Sequence, residues 1–257
     1  HHAALPLLLS VEEHSWLQLS QPHRLRWLET CCTWEWAAEG DAQQRLHQRV
    51  TSLQSLGYPA HEVTPDALQR EVPELRSQAV SGSIWHFPTE SVLHPALYLS
   101  RLWSEARANG AILHQHHAIK RLSEHVDGVT LHLTNGEHWQ GDRVVIATGR
   151  WANQLLNTLN LDLALLDTSK PNAVACSFLA RTAPQPLSLA TNLISPQLNV
   201  RPDGGGRLLL QALALDDLAD PAAPPSCHGD IAQAFRDRYH ALFADAGELQ
   251  IENIVIG

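Results

Sequence analysis

A chain of 257 residues, 44% of them hydrophobic, with 14 glycines and 15 prolines, is long enough to bury a real core in one large domain or two smaller ones. Lys plus Arg number 18 against 27 Asp plus Glu, a formal charge of -9 with no run of like charge, so the basic footprint of a nucleic-acid binder is absent and small-molecule chemistry is the better fit. The longest early apolar run, Ala3 to Leu9, is broken by Pro6, is too short to span a bilayer and lacks the flanks of a signal peptide; no transmembrane segment is expected.

The cysteines, Cys31, Cys32, Cys176 and Cys227, match neither a zinc spacing nor a disulfide framework, which points to a reducing, cytoplasmic compartment. No methionine occurs and the apolar stretch Leu249 to Ile256 stops at Gly257, so the chain reads as an internal fragment. His1-His2 are either the tail of a purification tag or native residues.

In chain order, residues 1–40, with Trp16, Trp27, Trp34 and Trp36, read as helical packing against a larger body. A helix is predicted from Asp41 to Leu56, with Leu46, Val50 and Leu53 on one stripe and Gly57 as its stop. Thr64 as N-cap and Pro65 at the first helical position open a short helix that Val72-Pro73 ends. Ser83 to Phe87 reads as a strand, and Pro95 starts a helix with Leu99, Leu102, Trp103 and Ala106 on its apolar stripe, closed by Asn109-Gly110. Ala111 to Leu113 then begins a strand expected to reach Ile119, the helix-to-strand rhythm of an α/β layer.

Val129, Leu131 and Leu133 alternate with Thr130, His132 and Thr134 ahead of an Asn135-Gly136 turn, a hairpin signal whose return strand carries Trp139. Val144-Val145-Ile146-Ala147 is apolar throughout, as expected of a parallel strand covered on both faces, and ends in Thr148-Gly149 before a helix from Trp151. Beyond Leu161 the texture is β-rich. Strands are expected at Asn172 to Arg181, Gln197 to Arg201 and Arg207 to Leu213, with a turn at Asp203-Gly204-Gly205-Gly206. An amphipathic helix carries Ile231, Phe235, Tyr239 and Leu242.

The order of these parts, with Asp142-Arg143-Val144-Val145-Ile146-Ala147-Thr148-Gly149-Arg150-Trp151 at its centre, resembles the D-amino-acid oxidase, glycine oxidase and sarcosine oxidase family. Leu56-Gly57, Glu71-Val72-Pro73-Glu74-Leu75, His94-Pro95, Val200-Arg201-Pro202 and Gly206-Arg207-Leu208 extend the resemblance along most of the chain. It implies an α/β fold: an incomplete FAD/NAD(P)-binding Rossmann-like domain with an interleaved α+β substrate domain on a mixed or antiparallel sheet. Residues 1–75 would be the mainly helical part of the FAD-binding domain, 76–93 a first substrate-domain segment, 94–160 a return to the FAD-binding domain, and 161–257 the substrate domain.

The resemblance further implies FAD as cofactor, with Ala147, Thr148, Gly149 and Trp151 close to it, Ile119 meeting its adenine part through the backbone, and His2, Ala3 and Ala4 beside the flavin ring. Small residues at a strand's carboxyl end let backbone approach a ligand, which is also what an ordinary strand-to-loop turn needs. The family's Gly-x-Gly-x-x-Gly turn does not occur, since Gly204-Gly205-Gly206 has no helix after it; the motif is expected upstream of His1, and this stretch alone is expected to hold FAD poorly.

The implied reaction oxidises the C–N bond of an amine or amino acid, with O2 or a respiratory carrier as electron acceptor. An amino-acid substrate needs a carboxylate clamp, and the bidentate fork of Arg supplies one best. Arg201 is the first candidate, and period-two alternation puts Asn199 on its face, where glycine oxidase places a substrate-facing tyrosine. A surface turn beside Pro202-Asp203 is the alternative role for Arg201. Gln211 and His86 are further substrate-binding candidates, each either pointing into the pocket or a satisfied polar residue at a domain junction.

His114 and His116 would share a strand face, but no third ligand follows and no metal site is expected. No Gly-x-Ser-x-Gly elbow occurs. A non-catalytic flavoprotein-like scaffold and a flavin-dependent tRNA-nucleoside-modifying enzyme are the other functions open to this sequence, the absent basic surface weighing against the second.

Overall fold

The computed structural model describes residues 27–165, 176–187, 189–220, 223–244 and 246–257. The chain divides into two compact units, His1–Ser100 with Cys176–Gly257 and Arg101–Ala175. The division falls inside one helix.

The larger unit is built on a mixed sheet that has eight strands among the described residues. Its strands are β2 (Thr33–Trp36), β3 (His61–Val63), β4 (Ile84–Phe87), β9 (Phe178–Thr182), β10 (Asn192–Ile194), β11 (Asn199–Pro202), β12 (Leu208–Gln211) and β13 (Ile251–Ile256). They lie in the order β13-β9-β12-β11-β10-β2-β4-β3, with β10 and β2 parallel and the other neighbours antiparallel. β1 (Leu28–Thr30) and β5 (Ser91–Leu93) form a separate antiparallel pair.

Directly paired residues share a face, so the register sorts the side chains. One row runs His86, Trp34, Leu193, Val200, Leu210, Ala180, Ile254 across seven strands. From Trp34 to Ile254 it is buried. It packs with Phe235, Tyr239 and Leu242 of the helix Asp230–Leu242 and with Leu68 and Val72 at the helix Pro65–Glu71. Among the described residues the opposite face is covered towards β4, where Leu46 and Val50 of α1 (Asp41–Ser55) cluster with Trp85 and Phe87.

The local chemistry explains the helices. Thr64 Oγ1 accepts from the Ala67 N–H at 3.3 Å and Pro65 occupies the first position of α2 (Pro65–Glu71). Gly57 and Gly110, at φ 83 and 89, supply the left-handed residues after α1 and after α3 (Pro95–Ala108).

The smaller unit carries the sheet β6 (Ile119–His125), β7 (Gly128–Leu133) and β8 (His138–Gly141), with α4 (Ala152–Leu156) behind β6. Gly136, at φ 90, makes the turn between β7 and β8. Asp230–Leu242 is α5.

Four expectations are corrected. Residues 28–30 and 33–36 are strands, not helix; Trp34 and Trp36 are two apart and share the core face, a period-two signal. Trp16 lies outside the described residues. Residues 111–118 form no strand, and β6 begins where a strand was expected to end. His114 and His116 therefore share no strand face; His116 sits at φ 61, and the rings of His114 and His117 pack on Trp139. Val144 to Ala147 is not a covered parallel strand: it has no ladder partner among the described residues, and Val145 is 88% exposed. The period and composition of a strand are present there; the neighbouring strand that would bury it is not among the described residues.

Phe235→Ala is expected to lower stability by about 3–5 kcal/mol, because the ring is fully buried against the sheet. Tyr239→Phe is expected to be neutral or stabilising by up to about 1 kcal/mol, since the buried Tyr239 hydroxyl has no hydrogen-bond partner among the described residues. Urea unfolding of the two variants beside the parent protein measures both.

Candidate functional site

Three of the substrate-binding candidates meet on the large sheet's second face, on a part that no described residue covers. Asn199 of β11 lies directly opposite Gln211 of β12, and Arg201 lies opposite Leu209, two residues along the same strands. All four are partly exposed, whereas Val200 and Leu210 between them are buried on the core side. The antiparallel pairing of Leu193 with Val200 also sets Asn192 beside Arg201 on this face. Sequence reasoning had not singled out Asn192. Its signal is positional, two residues before Ile194 on a strand that only the tertiary pairing identifies.

Asn192 Nδ2 donates to Thr33 Oγ1 at 3.0 Å, and its Oδ1 is buried without a partner among the described residues. Asn199 Oδ1 accepts from the Ser195 N–H at 3.3 Å, which holds its side chain at the strand's start. The neighbouring thiol of Cys31 is raised above its ordinary pKa, chiefly by burial and then by Cys32. All four cysteines are free thiols.

The electrostatics of this face separate its arginines. Arg181 pairs with Asp203 at 2.6 Å, and Arg207 makes a two-pronged contact with Glu252 at 3.0 and 3.3 Å. The Arg207 hydrogen bond is the main cause of a lowered Glu252 pKa. Arg201 has no ion pair or side-chain hydrogen bond among the described residues. It is the partly buried cation of this face that remains available to an anion. Glu35, also on this face, is held by Arg49.

His86 sits elsewhere. Its register partner is Trp34, and it points to the core face, its ring 4.4 Å from the Trp34 ring. Burial, then the adjacent His61, lowers its pKa, with Glu71 acting in the opposite direction. The structure therefore groups Asn199, Arg201 and Gln211 and sets His86 on the other side of the sheet.

The described cofactor candidates all belong to the smaller unit. Ile119 is the first residue of β6, and Ala147, Thr148 and Gly149 are exposed at the end of the unpaired segment. Gly149, at φ 56, has nothing within 4 Å of the point where a Cβ would stand, and it opens a single 3-10 turn, Gly149–Trp151, that runs directly into α4. Trp151 is 53% exposed. Open backbone at a glycine, in a segment that also exposes Val145 and Trp151, fits a planar group laid against it. His2, Ala3 and Ala4 lie outside the described residues. Among the described residues no three His, Cys, Asp or Glu side chains gather as a metal-binding group. No described helix is long and apolar enough to cross a membrane.

Comparison with known proteins gives this geometry a context. The model of a family described as DAO, FAD dependent oxidoreductase, matches residues 7–255. Glycine oxidase of Geobacillus kaustophilus (strain HTA426) is 28% identical over 168 residues, which is 65% of this chain and 42% of that protein. The crystal structure of glycine oxidase from Geobacillus kaustophilus superposes with a TM-score of 0.74 at 21% identity, covering 100% of this chain and 64% of that one. L-proline dehydrogenase from P. horikoshii gives a TM-score of 0.74 at 13% identity, over 96% of this chain and 63% of that one. L-amino acid deaminase from Proteus vulgaris gives 0.73 at 13%, over 98% and 63%. The chain thus spans less than two thirds of the length of each of these relatives. What the solved structures share with it is the mixed α/β fold.

His86 gives this region a pH dependence of definite sign. Its folded-state pKa lies below the ordinary imidazole value, so the unfolded chain binds the proton more readily. Its contribution to stability is therefore present above about pH 6.5 and is lost as pH falls through the folded-state value. In an NMR titration the His86 ring is expected to titrate below the ordinary imidazole value, and His61→Ala is expected to move the His86 midpoint upward.

Proposed function

Because this chain belongs to the DAO family of FAD-dependent oxidoreductases, we propose that it contributes the substrate-facing sheet of an enzyme that oxidises the C–N bond of an amino acid of the glycine, sarcosine or D-amino-acid type. The observation that carries this reading is Arg201: a partly buried guanidinium, unpaired among the described residues, on an open sheet face beside amide side chains. A guanidinium fork matches a carboxylate in two parallel hydrogen bonds, which fixes orientation as well as affinity.

Asn199 and Gln211, opposite one another one step along the face, offer amide oxygens and amide N–H groups to the rest of a small substrate. Glu35 on this face is engaged by Arg49, and Asp203 beside it by Arg181. A substrate amine would therefore meet neutral acceptors and bind best uncharged. FAD, when bound, supplies the two-electron acceptor for this chemistry. Ala147, Thr148 and Gly149 would lie against it through their backbone, with Ile119 at its adenine end and Trp151 covering an edge. The electron acceptor that completes turnover is O2 or a respiratory carrier in this reading.

The test uses the full-length protein. With FAD bound, its visible spectrum is expected to bleach anaerobically on addition of one of glycine, sarcosine or a D-amino acid. Arg201→Ala is expected to raise KM for that substrate by about tenfold or more, the loss of a charge-assisted pair, with less effect on an amine lacking the carboxylate. Arg201→Lys should recover only part of the loss. A protein that stays colourless with added FAD would overturn the reading in favour of a non-catalytic scaffold. Equal KM values for Arg201→Ala and the parent protein would remove Arg201 from it.

A further inference from the structure

The three-stranded sheet of the smaller unit has two unlike faces. Leu122, Leu131 and Trp139 are register partners on one face. The other face collects Arg121, Ser123 and His125 from β6, Thr130 and His132 from β7, and His138 and Gln140 from β8. Every one of these side chains is polar, four of them carry or can take a positive charge, and no carboxylate stands among them. In a chain of net charge -9 this is an unexpected local excess of cation.

Three of the groups close a small triangle. Arg121 Nη1 donates to Ser123 Oγ at 2.9 Å, Arg121 Nη2 lies 3.0 Å from His132 Nε2, and Ser123 Oγ lies 2.9 Å from the same nitrogen. A guanidinium can only donate, so a His132 ring nitrogen, Nε2 at 3.0 Å or Nδ1 at 3.4 Å, accepts from Arg121 and the ring is neutral. His138 packs on the far side of His132, with ring centroids 4.6 Å apart, edge to face. A proton placed on His132 Nε2 would set two donors against each other, and its charge would face Arg121 and His138 with nothing opposite. Consistent with this, His132 is held below the ordinary imidazole value by desolvation, then by Arg121 and His138.

We propose that this face is a binding site for a small tetrahedral oxoanion, a phosphate or phosphate monoester, which docks against Arg121, Ser123 and His132 when His132 is protonated. On protonation both ring nitrogens are donors, the contact between Arg121 Nη2 and the ring is lost, and Arg121, the ring N–H groups and the Ser123 hydroxyl are released to donate outward. All of these donors then converge on the anion, whose negative charge offsets the repulsion between Arg121 and protonated His132. Linkage requires the converse: the anion raises the His132 pKa by as much as protonation tightens the anion.

Sulfate is the first probe, because its charge is the same at about pH 5.5 and about pH 8 and any pH dependence then belongs to the protein. At constant ionic strength, NMR of the full chain is expected to show the His132 midpoint rising with sulfate, and binding about tenfold tighter at the lower pH. Inorganic phosphate and glycerol 3-phosphate, compared next, separate a free-anion site from a monoester site. Arg121→Gln and His132→Gln are each expected to abolish the pH dependence, and Ser123→Ala to weaken binding with the sheet unperturbed. Equal affinity at the two pH values, survival of binding in the Arg121→Gln, His132→Gln double variant, or no saturation by about 50 mM sulfate would each overturn the proposal.

Discussion

The pairing of β11 with β12 decides what the open face of the large sheet can present, because side chains in a sheet alternate with period two and neighbours in register share a face. Val200 and Leu210 are paired and buried, and they lock the register against α5. A slip of one residue would carry both into water and drive Arg201 and Gln211 towards Phe235 and Tyr239. Burial of each aliphatic side chain stabilises by roughly 1.5–3 kcal/mol, and an unpaired guanidinium in an apolar core opposes folding further. The polar face is thus a consequence of the apolar one. No interaction among Asn199, Arg201 and Gln211 is needed to hold them together.

The small sheet uses the same rule with one irregularity. Ile119 pairs with Leu133, but Arg121 pairs with His132, so a bulge intervenes. Regular alternation would leave Arg121 on the face of Ile119, next to the buried Leu133. The extra residue turns Arg121 over to His132 and Ser123 while keeping Leu122 in the core. A single inserted position therefore creates both the apolar seat for Leu122 and the donor triangle opposite it.

Local chemistry made much of the fold readable. The cap at Thr64, the prolines that open α2 and α3, and the glycines after α1 and α3 act within a turn of the chain, so each helix could be placed from its own residues. The hairpin at Asn135-Gly136 is equally local. The strands of the large sheet are harder, because β10 is only three residues long and its place between β2 and β11 depends on segments far apart in the chain. Asn192 is not legible in the sequence for that reason, and the face on which His86 lies follows only from its pairing with Trp34. Val144 to Ala147 failed in the other direction: its composition is that of a covered strand, yet burial is a property of what lies alongside.

Arg201 gains its meaning from the arginines around it. Arg181 and Arg207 carry the same charge on the same sheet, yet each already has a carboxylate within hydrogen-bond distance. For those two, an arriving anion would have to displace an existing pair and would gain little. Arg201 is partly withdrawn from water without such compensation, so part of its hydration is lost and no Coulomb attraction has replaced it. A carboxylate held there, as proposed above, would offset part of that loss through a charge-assisted pair. Selectivity follows from the same difference. The excess acidic charge of the chain repels anions at long range, and screening confines that repulsion to about a Debye length. At contact distance a charge-assisted pair with Arg201, unpaired among the described residues, would exceed it, which is why the substrate proposed above is one whose carboxylate reaches that side chain.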